Sequence, residues 1–90
     1  MKLILFTSES CIPCQEQKKS LAKWSMSRPS VEVEVVDATS ARGQLLAEGA
    51  LAQTLPTIAA FCDLRCIYSE GGLHTVAQLE SFWEMAVSRS

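Results

Sequence analysis

The strongest constraint on this chain is its opening, where two strand-like runs flank one helical stretch. Lys2 to Thr7 (KLILFT) is a short, continuous apolar run, the pattern of a strand buried on both faces. Val31 to Val36 (VEVEVV) is rich in β-branched residues and alternates, so it reads as a second strand. Its Glu32 and Glu34 are charges of the kind that blunt a sheet edge. Between the runs, Cys14 to Met26 predicts a helix, with Pro13 in the first turn, where a missing N–H costs nothing. Arg28-Pro29-Ser30 ends it. A β-α-β unit of this kind crosses over right-handedly and lays its two strands parallel.

The remainder continues the same α/β pattern. Ser40 is a candidate N-cap for a weaker helix over residues 42–53, which is interrupted by Gly43 and Gly49. Thr57 to Cys62 and Arg65 to Ser69 predict a hairpin around Asp63-Leu64. After Gly71-Gly72, Thr75 and Gln78 form a capping box. Val76, Leu79, Phe82, Trp83, Ala86 and Val87 then recur at helical spacing. The expected order is β-α-β-α-β-β-α, a mixed four-stranded sheet covered by three helices. Ninety residues suit one domain, 1–90, with a single modest core. Trp24 and Trp83 are expected in that core.

Composition narrows the function classes. The formal net charge of −2 makes no field that would gather nucleic acid or hold the chain on an anionic membrane. Lys18, Lys19 and Lys23 read as the solvated face of a helix. The run Leu3 to Phe6 is too short for a signal-peptide core, and no stretch approaches the roughly 18 apolar residues of a membrane span. The expected compartment is therefore the reducing cytosol, where four cysteines point to catalysis or metal binding more than to permanent disulfides.

Residues 8–14 read SESCIPC, placing Cys11 and Cys14 three apart at the change from strand to helix. A zinc half-site, a buried structural pair, a structural disulfide and a redox couple all use this spacing. The position weighs toward redox chemistry. Open α/β sheets present ligands beyond the carboxyl ends of their strands, and a helix amino terminus favours an anion by up to about 2 kcal/mol. Cys11 should therefore ionise more readily than a free cysteine, with Glu9 and Glu16 limiting the effect. Cys11 is the expected nucleophile and Cys14 the resolving thiol.

These features together resemble the thioredoxin and glutaredoxin superfamily. They are the strand before Cys11-Ile12-Pro13-Cys14, the TLPT of residues 54–57, the hairpin, and the glycine pair before the last helix. The resemblance implies a thioredoxin-like fold in its short, glutaredoxin-type layout. It also implies a cis bond before Pro56, packed against the active-site cysteines, and a Leu55 backbone that pairs with substrate like an added strand. Ile12 and Pro13 would form an apolar lip around Cys11, and Gly71 and Gly72 match a glutathione-binding glycine pair. The sequence departs from the glutaredoxin pattern in three places. Pro13 is second in the dipeptide between the cysteines, as in thioredoxin, where glutaredoxins usually have Pro-Tyr. Glu9 stands where a basic residue is usual, and Leu73-His74-Thr75 follows the glycine pair without an acidic residue. The implied partners are disulfide-containing proteins, with glutathione or a thioredoxin reductase as electron donor.

Other candidates remain. Cys62 and Cys66 flank DLR at the hairpin tip and are expected to face each other across the strands, close enough to bridge, as small half-buried residues, with a second redox pair or a metal clip as the alternatives. His74, the only histidine, is expected as an exposed loop residue beside the helix cap. The function expected is that of a cytoplasmic dithiol–disulfide oxidoreductase, acting as a monomer without bound cofactor or metal. The alternative is a non-catalytic module on the same fold that binds zinc, an iron–sulfur cluster or a protein partner.

Overall fold

The computed structural model describes every residue from Met1 to Ser90. The elements run β1 (Lys2–Thr7), α1 (Ile12–Ser27), β2 (Glu32–Asp37), α2 (Ala41–Gly49), β3 (Thr57–Cys62), β4 (Arg65–Gly71) and α3 (Val76–Arg89). The four strands form one sheet in the order β2-β1-β3-β4. β1 pairs parallel with β2 and antiparallel with β3, which pairs antiparallel with β4. This is the mixed sheet with three helices that the sequence predicts.

Alternation along β1 explains why its sequence is apolar throughout. Leu3 and Leu5 join a cluster with Leu21 and Trp24 of α1 and with Leu79, Phe82, Trp83 and Ala86 of α3. Ile4 and Phe6 point the other way, into a second cluster with Leu46 of α2, Ala50, Ala59 and Phe61. Helices α1 and α3 thus cover one face and α2 the other. Trp24 and Trp83 meet edge to face in the first cluster, 5.8 Å between ring centroids, as expected for core tryptophans. The outer strand β2 keeps its charges in use: Glu34 accepts from Lys2 Nζ at 3.0 Å and from Arg42 at 2.6 Å.

Helix α2 is shorter than its sequence suggests. Ser40 caps its start by accepting from Gly43 N–H at 2.9 Å. At the other end Leu51 takes a left-handed conformation (φ 56°). Ala52 N–H bonds to Ala47 C=O at 2.9 Å and Leu51 N–H to Glu48 C=O at 3.1 Å. This paired closure normally carries glycine at the left-handed position. Here leucine occupies it, so the stop signal is absent from the sequence. Gly43 has the opposite logic: a Cβ there would lie 1.9 Å from Asp37 C=O, so the helix approaches the end of β2 only because that residue is glycine.

The hairpin also corrects an expectation. Cys62 pairs with Arg65 and Phe61 with Cys66, leaving a two-residue turn at Asp63-Leu64. Side chains alternate across a strand, so Cys62 and Cys66 sit on opposite faces of the sheet rather than facing each other. Both are free thiols. Cys62 is exposed, whereas Cys66 packs against the Phe61 cluster, and burial pushes its thiol pKa up.

The end of α1 is tied to α3 through Glu80, which accepts from Arg28 at two points and from Trp24 Nε1 at 2.9 Å. The Arg28 hydrogen bonds first, and then Trp24, lower the Glu80 pKa from its ordinary 4.5 to about 2. A depressed carboxyl contributes stability that is complete above its unfolded pKa and is lost as pH falls toward the folded one. Melting temperature should therefore drop between pH 4.5 and about 2, and Glu80→Gln should flatten that limb in thermal scans. Urea titration should separate the two α2 positions. Gly43→Ala should lose about 1–3 kcal/mol by overpacking, despite alanine's better helix propensity. Leu51→Gly should gain up to about 1 kcal/mol by relieving the left-handed leucine.

Candidate redox site at one end of the sheet

Strand register decides which sequence motifs meet. The carboxyl end of β1 is reached at Phe6 and Thr7. Phe6 lies opposite Thr57, the first residue of β3, and Thr57 lies opposite Gly71, the last of β4. The loop carrying Cys11, the Leu55–Pro56 segment and the glycine pair therefore all leave the same end of the sheet. Cys62 and Cys66 lie at the other end, near Lys2, which pairs with Phe61. The four thiols do not converge, and no group of three or more His, Cys, Asp or Glu side chains is placed to hold a metal ion.

Beyond β1 the chain makes a tight turn, closed by Cys11 N–H donating to Ser8 C=O at 3.2 Å. Cys11 is the N-cap of α1 in an extended conformation, and no side chain caps the helix. Pro13 is the second residue of the helix and has no N–H to offer. Cys14, at the third, is fully buried, whereas Cys11 is partly exposed. The two sulfurs form a disulfide, with Cα atoms 5.3 Å apart. Ile12 is 83% exposed beside it, and Pro13 is exposed as well.

The TLPT segment and the glycine pair leave the same end of the sheet. The Leu55–Pro56 peptide bond is cis, as the resemblance implies. Thr57 Oγ1 donates to Thr54 C=O at 2.6 Å, and Gly72 N–H donates to Pro56 C=O at 2.8 Å. Gly72 has φ 94°, a conformation open to glycine and costly for other residues. A groove of about 510 Å³ extends from Thr54 and Leu55 toward Ala47, Glu48 and Leu51.

His74 is not the exposed residue expected. It is buried, and its ring edge packs against Phe82. Nδ1 lies 3.0 Å from Gly72 C=O and Nε2 2.7 Å from a Glu70 carboxylate oxygen. The ring thus bridges a backbone carbonyl of its own loop and a carboxylate at the end of β4. Burial pushes the Glu70 carboxyl up, but hydrogen bonds from Tyr68 and His74 outweigh it and hold the pKa below its ordinary value. The glycine-pair loop therefore closes on itself, with the His74 ring turned inward.

Gln17 was not singled out by its sequence, yet it is fully buried one turn beyond Cys14. Its Nε2 donates to His74 C=O at 3.0 Å and its Oε1 accepts from His74 N–H at 2.6 Å. A signal did exist: Gln17 falls on the buried stripe Cys14, Gln17, Leu21, Trp24, where a polar residue needs partners.

No protein-family model matches the sequence, and no curated protein sequence matches it. Solved structures do. The reduced form of desulfothioredoxin from Desulfovibrio vulgaris Hildenborough is 23% identical with a TM-score of 0.79, over 93% of this chain and 79% of that one. Mitochondrial thioredoxin 3 of Saccharomyces cerevisiae, in its oxidized form, is 21% identical with a TM-score of 0.75, over 91% of this chain and 76% of that one. Thioredoxin 1 of Thermosipho africanus is 16% identical with a TM-score of 0.71, over 98% and 96% of the two chains. At these identities the likeness establishes architecture. The chain has the thioredoxin fold, with a C-x-x-C disulfide where its first strand hands over to its first helix.

Proposed function

We propose that this chain is a dithiol–disulfide oxidoreductase in which Cys11 is the nucleophile and Cys14 the resolving thiol. The observation that carries this is the Cys11–Cys14 disulfide at the amino end of α1, with Cys11 partly exposed and Cys14 buried. In the dithiol form, the Cys11 sulfur occupies the position from which an N-cap side chain accepts hydrogen bonds. Pro13 contributes no N–H, so the Cys14 N–H and the helix dipole are what stabilise a thiolate there. A thiol whose pKa lies near ambient pH is also close to optimal as an attacking group.

The Cys11 thiolate attacks one sulfur of a substrate disulfide, forming a mixed disulfide and releasing the other sulfur as a thiolate. Cys14 then attacks Cys11 Sγ, its proton passing to the departing substrate sulfur. Two electrons reach the substrate, and the Cys11–Cys14 bond forms. An outside donor of two electrons restores the dithiol. Ile12 and Pro13 form the apolar lip, while the Leu55–Pro56 backbone and the Gly71-Gly72 turn flank the substrate chain.

Substrates of this reading are disulfide-containing proteins, met by a monomer in a reducing cytosol. No helix is long and apolar enough to cross a membrane. The donor is glutathione or a thioredoxin reductase. Glu9 before the motif and the inward-turned His74 after the glycine pair leave glutathione's charged ends without their usual partners, which weighs toward a protein donor.

Replacing Cys14 with serine should trap mixed disulfides through Cys11, seen as reducible adducts by mass spectrometry. Cys11→Ser should bring disulfide reduction down to the uncatalysed rate in an assay coupled to either donor. Stoichiometric zinc in protein purified without added metal would instead favour a metal-binding module.

A further inference from the structure

The buried Gln17–His74 clamp has no part in the thiol chemistry, yet it joins the helix that carries the cysteines to the loop that carries the glycine pair. The two residues are 57 apart in sequence. A carboxamide that donates to a backbone C=O and accepts from the N–H of the same residue does what a neighbouring strand would do. The carboxamide nitrogen and oxygen are thereby both paired in a buried site, and no buried side-chain nitrogen or oxygen in the protein lacks a partner. The same loop is held at three further points. Gly72 N–H bonds to Pro56 C=O, the His74 ring spans Gly72 C=O and Glu70, and Thr75 begins α3 as its capping residue.

Resting on the oxidoreductase reading, we propose that Gln17 is a positioning residue of the dithiol site. Its carboxamide fixes the Gly72–Thr75 loop against α1 one turn beyond Cys14, and with it the width of the opening between that loop and the Cys11 turn through which a polypeptide disulfide would reach Cys11. A large substrate that lies along both walls depends on that width. A small disulfide that touches only Cys11 does not. The clamp thus bears on binding of protein substrates and leaves the sulfur exchange itself unchanged.

The test compares wild type with Gln17→Leu, which keeps the volume and removes both hydrogen bonds. Readouts are steady-state reduction of a protein disulfide (insulin), reaction with a small aromatic disulfide, and amide exchange at His74 by NMR. The expected result is a KM for insulin raised roughly five- to tenfold, the ratio of about one net hydrogen bond. Reactivity toward the small disulfide and kcat should stay within twofold, and the His74 amide should exchange faster. Gln17→Glu should show the same defect at neutral pH and recover as pH falls, because a protonated carboxyl again donates to His74 C=O; wild type should show no such recovery.

A purely structural role would lower the melting temperature and leave KM unmoved below it, and that result overturns the proposal. An unchanged His74 exchange rate overturns it too. If Gln17→Leu does not fold, Glu70→Gln, on the half-exposed edge strand, loosens the same loop from its other side and must raise the insulin KM in the same way for the proposal to stand. Wild-type protein that reduces neither disulfide faster than Cys11→Ser overturns the oxidoreductase reading itself, an outcome distinct from an active wild type with an indifferent clamp.

Discussion

Burial of β1 on both faces is the constraint from which the rest of the structure follows. A strand covered on one side only could leave alternate residues polar, but here Leu3, Ile4, Leu5 and Phe6 are all buried. Hiding both rows requires helices on both faces, and α1 with α3 on one side and α2 on the other supply them. Because the strand is central, pairing with β2 and β3, its carboxyl end is fixed by neighbours on either side. The turn that carries Cys11 therefore starts from a strand end paired on both sides, while its tip remains open to solvent.

That rigid frame also determines which loops become neighbours. Antiparallel pairing of β3 with both β1 and β4 brings Thr57 beside Phe6 and Gly71 beside Thr57. The Leu55–Pro56 bond and the glycine pair thus leave the same end of the sheet as the disulfide, without any sequence proximity. The same register sends Cys62 and Cys66 to the far end and to opposite faces. Two cysteine pairs of similar appearance in the sequence thus have different fates: one is bridged at a helix terminus, and the other is two separate thiols, one exposed and one packed against apolar side chains.

Polar groups in the interior are few and serve as ties between elements. Gln17 joins α1 to the loop before α3, Thr57 closes the turn of the cis proline, and His74 with Glu70 locks the end of β4 to that loop. Tyr68 and His74 converge on the same Glu70 carboxylate, and both rings lie against Phe82. Such a network is favourable only when every member is paired. Its completeness explains how a histidine and a glutamine can sit in a core of this size.

Much was legible in local pattern because local physics sets it. The apolar run of β1, the alternation of β2, the capping box of α3 and the cysteine spacing at a strand-to-helix corner each depend on residues within one or two turns of each other. The strand limits Lys2–Thr7 and Thr57–Cys62 agree with the sequence reading for that reason. The end of α2 was hidden because Leu51 adopts a conformation that sequence normally assigns to glycine, and Gly43 looked like a weakness although close approach to Asp37 demands it. His74 and Gln17 become partners only once the sheet has closed, since 57 residues separate them and no local pattern pairs them. By itself, then, the sequence determined the order of elements, the two-faced burial of β1 and the dithiol at a helix start. Tertiary structure alone decided the hairpin register, the inward turn of His74 and the clamp beneath the site, because each requires groups distant in the chain to be brought within hydrogen-bonding or packing distance.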